Sequence, residues 1–129
     1  MTPAEFVDKA VGIRWKKDAA GWDGCNCYGL IMLWYRHVHG LVLATPLETE
    51  IVAGFHAAQG WHECAPELGA TCWMAWRDGA PNHCGVMLSP TEVLHAEGSQ
   101  VHPGSVRVSS LRAVRFCYGE IRFYRYTPC

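Results

Sequence analysis

Residues 22–30, Trp22-Asp23-Gly24-Cys25-Asn26-Cys27-Tyr28-Gly29-Leu30 (WDGCNCYGL), set two cysteines one residue apart at the entrance to an apolar run. Such a pair fits three chemistries: a metal clip, half of a redox couple, or a nucleophile at the head of a helix. The run beyond the pair is helical in pattern. From about Cys27 to His39, Leu30, Ile31, Leu33, Trp34 and Val38 spread apolar surface around most of a helix, so the helix is expected to be buried on most sides. Gly40 is its natural stop.

Working outward, Thr2-Pro3-Ala4-Glu5 reads as a capping box, with Thr as N-cap, Pro at the first helical position and Glu at the third. It predicts a short first helix to about Val11, ended by Gly12. Residues 12–26 show no sustained periodicity and read as a loop. Thr45-Pro46-Leu47-Glu48 repeats the capping chemistry, and Leu47, Ile51, Phe55 and Ala58 share one helical face as far as Gly60. Beyond Gly60 the pattern changes to strands: Thr71–Trp76, His83–Leu88, Glu92–Ala96, Val101–Val108 and Glu120–Tyr126, punctuated by Gly, Pro, Asn and Ser. Helices first and an antiparallel sheet after them predict an α+β fold in one domain over residues 1–129.

Composition narrows the partners. Half of the 129 residues are hydrophobic and 18% are charged, which is globular composition. A formal net charge of −1 offers no basic field, so neither nucleic acid nor an anionic membrane is the expected partner. The N-terminus MTPAEFVDKA has no apolar core of a signal peptide, and Leu30–Leu43 is too short and too polar to span a bilayer. Synthesis in the cytoplasm without ordinary secretion is the expectation. The seven cysteines, at 25, 27, 64, 72, 84, 117 and 129, make a poor disulfide framework; Cys72 and Cys117 sit in apolar runs and read as core.

Of the three chemistries, zinc usually takes cysteines separated by two to four residues, and redox couples take Cys-x-x-Cys; neither spacing occurs. A nucleophile needs a lowered pKa, and Cys27 stands where a helix N-terminus would supply it. On this segment alone the plainer reading, a small buried residue at a helix start, remains the stronger. Cys25, in the loop, reads as structural.

The base is sought among the histidines. His83 opens HCGVML and His95 lies in EVLHAEG. If Ser89-Pro90-Thr91 is a three-residue turn, Leu88 pairs with Glu92 and His83 lies opposite Glu97. His95 then shares the face of His83 as its diagonal neighbour, about 7–8 Å away along the backbone. A two-residue turn would throw His95 to the opposite face. The pairing of the two imidazoles therefore depends on the turn.

These residues resemble the NlpC-type papain-like cysteine peptidases. Cys27-Tyr28-Gly29-Leu30 is similar to that family's Asp-Cys-x-Gly-Leu motif, and His83-Cys84-Gly85-Val86-Met87-Leu88 to its His-x-Gly strand. Val93-Leu94-His95-Ala96 resembles the next strand, which carries the third catalytic residue, and Gly12-Ile13-Arg14-Trp15 a segment lining the site. Departures are Asn26 for the usual Asp, Trp15 for Tyr, Lys16-Lys17 for Gly-Gly, and Ala70-Thr71 for Gly-Asp. The run GLIMLWYRHVHGLVLATP looks most like the branch found in phage tail tips and prophages.

The resemblance implies a papain-like fold, N-terminal helices on a C-terminal sheet, and a triad of Cys27, His83 and His95. Trp15, Asn26, Tyr28 and Gly29 would border the substrate and the oxyanion, and Gly29 would let a substrate backbone approach. It implies hydrolysis of a peptidoglycan stem peptide between D-glutamate and the diamino acid. The setting would be a virion tail among other tail-tip proteins, and the chemistry needs no metal or organic cofactor. Two alternatives stay open: a structural tail-tip or adaptor protein without turnover, and an amidase or acyltransferase using the same three residues.

Overall fold

In the computed structural model, which describes residues 1–43, 60–68 and 70–127, the chain begins with the predicted capping box. The Thr2 hydroxyl accepts the Glu5 N–H at 3.1 Å while the Glu5 carboxylate accepts the Thr2 N–H at 3.0 Å. Helix α1 (Pro3–Ala10) follows, burying Phe6 and Ala10. Gly12, at φ 95°, turns the chain out of it. The segment expected to be only a loop holds a small hairpin, β1 (Ala20–Gly21) with β2 (Gly24–Cys25). Helix α2 (Cys27–Trp34) starts immediately after it and continues as a π-helical stretch, Tyr35–His39, that stops at left-handed Gly40. The expected span of 27–39 is thus helical, with its second part wound more widely. The helix expected to open at Thr45 and to carry Leu47, Ile51, Phe55 and Ala58 lies outside the described residues.

The rest is largely sheet: β3 (Trp61–Glu63), β4 (Cys72–Arg77), β5 (Ala80–Met87), β6 (Glu92–Ala96), β7 (Val106–Ser110), helix α3 (Leu111–Tyr118) and β8 (Glu120–Tyr126). Among the described residues the main sheet has six strands in the order β3-β8-β4-β5-β6-β7, each pair antiparallel. Asp78-Gly79, both at positive φ, make the two-residue turn from β4 to β5. Neither β3 nor α3 was expected either; Ser110 caps α3 by accepting the Ala113 N–H at 3.1 Å.

One expected strand is shorter than its apolar pattern suggests. Val101–Val108 becomes a strand only from Val106, because Ser99–His102 close a turn through a 3.0 Å backbone hydrogen bond. Gly104 then packs so closely on Glu97 that a Cβ there would meet its carbonyl at 2.2 Å. Cys117, read as core, is exposed on α3, whereas Cys72 is fully buried.

Alternation in the strands divides the interior in two. Cys72, Met74, Cys84, Val86, Leu94 and Tyr124 face α1 and α2, packing with Phe6, Tyr28, Leu30 and Ile31. Trp73, Ala75, Met87, Val93 and Phe123 face the other way, onto Leu111 and Val114 of α3. Both faces of the central strands are therefore covered, which is why β4 and β5 read as nearly continuous apolar runs.

Candidate active site

Cys27 is the first residue of α2, and Asn26 is the N-cap that aims it. The Asn26 side chain accepts the Gly29 N–H at 2.8 Å, and its backbone N–H donates to the Ala19 carbonyl at 3.1 Å. Cys25 is tied back on both sides: its N–H donates to Arg14 and its carbonyl accepts from Lys16, each at 3.1 Å. The two cysteines of the opening stretch therefore have different surroundings. Cys25 is fully buried, and burial, reinforced by the neighbouring Cys27, pushes its thiol up to about 12. Cys27 is half-buried and is held well below the usual thiol range. The Cys84 thiol hydrogen-bonds it, the His83 imidazole adds a hydrogen bond and a charge, and the Cys84 backbone N–H adds another; together these outweigh desolvation. The cost is met at Cys84, whose fully buried thiol is driven well above its ordinary range by desolvation and by donating to Cys27.

The β5–β6 connection has the register that the histidine pair requires. Val86 pairs with Leu94 and Met87 with Val93, and Leu88 N–H reaches the Glu92 carbonyl at 2.9 Å, so Ser89–Thr91 form the three-residue turn. Strand pairing ends at Val86 and Leu94, and His83 and His95 lie just beyond that point. His83 Nε2 is 2.9 Å from His95 Nδ1, and both rings are buried, 7% and 2% exposed. The second nitrogen of His95, Nε2, lies 2.9 Å from the Ser109 hydroxyl on β7. Burial, then the charges of His83 and Arg107, lowers His95 to about 4, so it is neutral at neutral pH. Tyr118, last in α3, stacks on His83 with ring centroids 4.3 Å apart and planes 23° from parallel. Trp73 meets both imidazoles edge-on.

Cys27, His83, His95 and Ser109 thus form one connected chain from the helix start to the edge of the sheet. Its chemical capability is clear: a thiolate, an imidazole in contact with it, and a neutral acceptor behind that imidazole. The Cys27 N–H, at the first helical position, has no intrahelical acceptor and can serve an oxyanion.

The flanking residues have other duties. The Asn26 side chain is spent on the helix cap, and Tyr28 is 0% exposed in the core. A Cβ on Gly29 would lie 1.9 Å from the Ala19 carbonyl, so the room left by its missing side chain is occupied by the protein's own backbone. All three residues support the helix start. Trp15 is half-buried beside Cys25, its backbone N–H donating to Gly104 at 2.9 Å. Three participants carry weaker marks in the sequence. Tyr118 ends a stripe with Leu111 and Val114 that Ser110 and Gly119 bracket, a signal that was available. Ser109 follows a nine-residue connection whose register no local pattern sets, and Cys84 shows only as another soft ligand.

No family model and no curated protein matches the sequence. Among solved structures the chain is similar to the crystal structure of the NlpC/p60 domain of the peptidoglycan hydrolase SagA. The TM-score is 0.64 at 17% identity, over 93% of each chain. At that identity the likeness is one of fold: helices packed on an antiparallel sheet in the papain-like NlpC/p60 arrangement.

Proposed function

We propose that the chain is a cysteine peptidase of the NlpC/p60 kind that hydrolyses amide bonds in peptidoglycan stem peptides. The observation that carries this reading is the chain of contacts from Cys27 through His83 to His95, set at a helix start in a fold shared with a peptidoglycan hydrolase domain. The Cys27 thiolate attacks the scissile carbonyl, and the resulting oxyanion is met by the Cys27 N–H. The His83 imidazolium gives its proton to the departing amine, and the C–N bond breaks to leave a thioester on Cys27. Water then attacks the thioester with His83 as base; the C–S bond breaks, the free acid leaves, and the thiolate–imidazolium pair is restored.

The finer reading is a bond between D-glutamate and the diamino acid, cut by a phage or prophage tail-tip protein acting on the wall. It rests on the likeness of the run from Cys27 to Pro46 to that branch. The test is digestion of purified wall and of isolated stem peptides, with new termini identified by mass spectrometry and Cys27→Ala as control. Cleavage by the native protein alone supports the reading. Intact peptides alongside a reactive Cys27 would point instead to another acyl acceptor or to a structural role.

A further inference from the structure

We propose that Ser109 is a positioning residue: while His83 is charged its hydroxyl accepts the proton on His95 Nε2, so that His95 presents a bare Nδ1 to the proton on His83 Nε2. The inference rests on the reading of Cys27 and His83 as a thiolate–imidazolium pair. His95 lies opposite Arg107 in the β6–β7 ladder, with Ser109 as its diagonal neighbour two residues on. His83, on β5 beyond the last residues paired with β6, meets the other nitrogen of the ring. One imidazole is therefore gripped at both nitrogens, each contact 2.9 Å long.

The proton count gives the two contacts opposite directions. An imidazolium at His83 carries a proton on both nitrogens, so its Nε2–H must meet an acceptor. Neutral His95 supplies a lone pair at Nδ1 only when its own proton is on Nε2. That proton points at Ser109, and the hydroxyl oxygen accepts it. In the other tautomer, His95 Nδ1–H would face His83 Nε2–H, proton against proton, and the imidazolium would lose its partner. A hydroxyl can also rotate and donate when His83 is neutral, so Ser109 stays satisfied through the proton cycle; an alanine cannot do either.

The other charged and titratable groups around His95 do not offer this service. Tyr118 packs on His83, 6.4 Å between its ring centre and that of His95. Arg107 is a donor, turned onto the Glu97 carboxylate at 3.3 Å. Glu97 and Cys117 line a small cavity of about 150 Å³ beside Ser109, and neither is within hydrogen-bonding contact of the ring among the described residues.

Ser109→Ala and Ser109→Thr separate the hydroxyl from its surroundings. The rate of Cys27 alkylation by iodoacetamide, followed by mass spectrometry from acid to mildly basic pH, reads the thiolate without any substrate. Ser109→Ala is expected to move the midpoint up by about one pH unit, a roughly tenfold slower reaction on the acid side, and Ser109→Thr to keep the native profile. Nitrogen-15 NMR of the histidines should show His95 protonated at Nε2 in the native protein and in Ser109→Thr, and a mixed tautomer in Ser109→Ala. An unchanged profile and tautomer in Ser109→Ala, or an equal shift in Ser109→Thr, would overturn the proposal. Since alkylation requires no wall fragment, a failure here is distinct from a failure to cleave peptidoglycan.

Discussion

Tyr118 lies face to face with His83, 4.3 Å between ring centres, although the two residues belong to different layers of the molecule. An aromatic face against an imidazolium stabilises the charged form by roughly 0.5–2 kcal/mol. Replacing Tyr118 with Leu should therefore slow Cys27 alkylation on the acid side by about twofold to thirtyfold, whereas Tyr118→Phe should retain it. Equal rates for the Leu variant and the native protein would show that the stack only fills space.

The Cys84 thiol hydrogen-bonds Cys27 and lowers its pKa. Cys84→Ala should raise the pH at which Cys27 is labelled, and Cys84→Ser, which keeps a donor, should raise it less. In the native protein near neutral pH, Cys27 should be labelled while buried Cys25, with its thiol near 12, stays protected. Finding label on Cys25 and none on Cys27 would reverse the assignment of the nucleophile.

His95 gives stability a pH dependence of definite sign. Its folded value, about 4, lies below its ordinary 6.5, so between these the unfolded chain holds more protons. Stability is then fully present above about 6.5 and is lost as pH falls toward 4, by about 3 kcal/mol at most. Thermal melts across that window should decline more steeply for the native protein than for His95→Asn. Parallel slopes would mean that His95 is not held neutral by the fold.

Gly29 and Gly40 separate close approach from backbone conformation. A Cβ at Gly29 would run into the Ala19 carbonyl at 1.9 Å, while at Gly40, φ 67°, nothing lies within 4 Å. Gly29→Ala should cost about 3 kcal/mol or prevent folding, and Gly40→Ala about 1 kcal/mol. Urea unfolding measures both, and a Gly29→Ala variant as stable as Gly40→Ala would contradict the packing described.

Much of this was legible in the chain because the signals are local. Thr2 and Glu5 are three residues apart, and a capping box needs nothing else. Cys27 to His39 reads as a helix because its apolar residues surround it. His83 and His95 could be paired because three turn residues set the register of a hairpin. The third helix expected at 45–60 falls almost wholly outside the described residues, and α3 was missed although Ser110, Leu111, Val114 and Gly119 announce it.

Residue chemistry and short-range spacing alone determined the α+β order of elements, the helix start at Cys27 and the shared face of the two histidines, since each follows from periods and turns a few residues long. Tertiary structure decided the rest. It buried Cys25 and left Cys27 half-exposed, brought Cys84 to the sulfur, laid Tyr118 on His83 and set Ser109 behind His95. Those contacts join segments separated by long connections, and their registers are chosen by how two cores pack on opposite faces of one sheet. Local pattern carries no information about that choice.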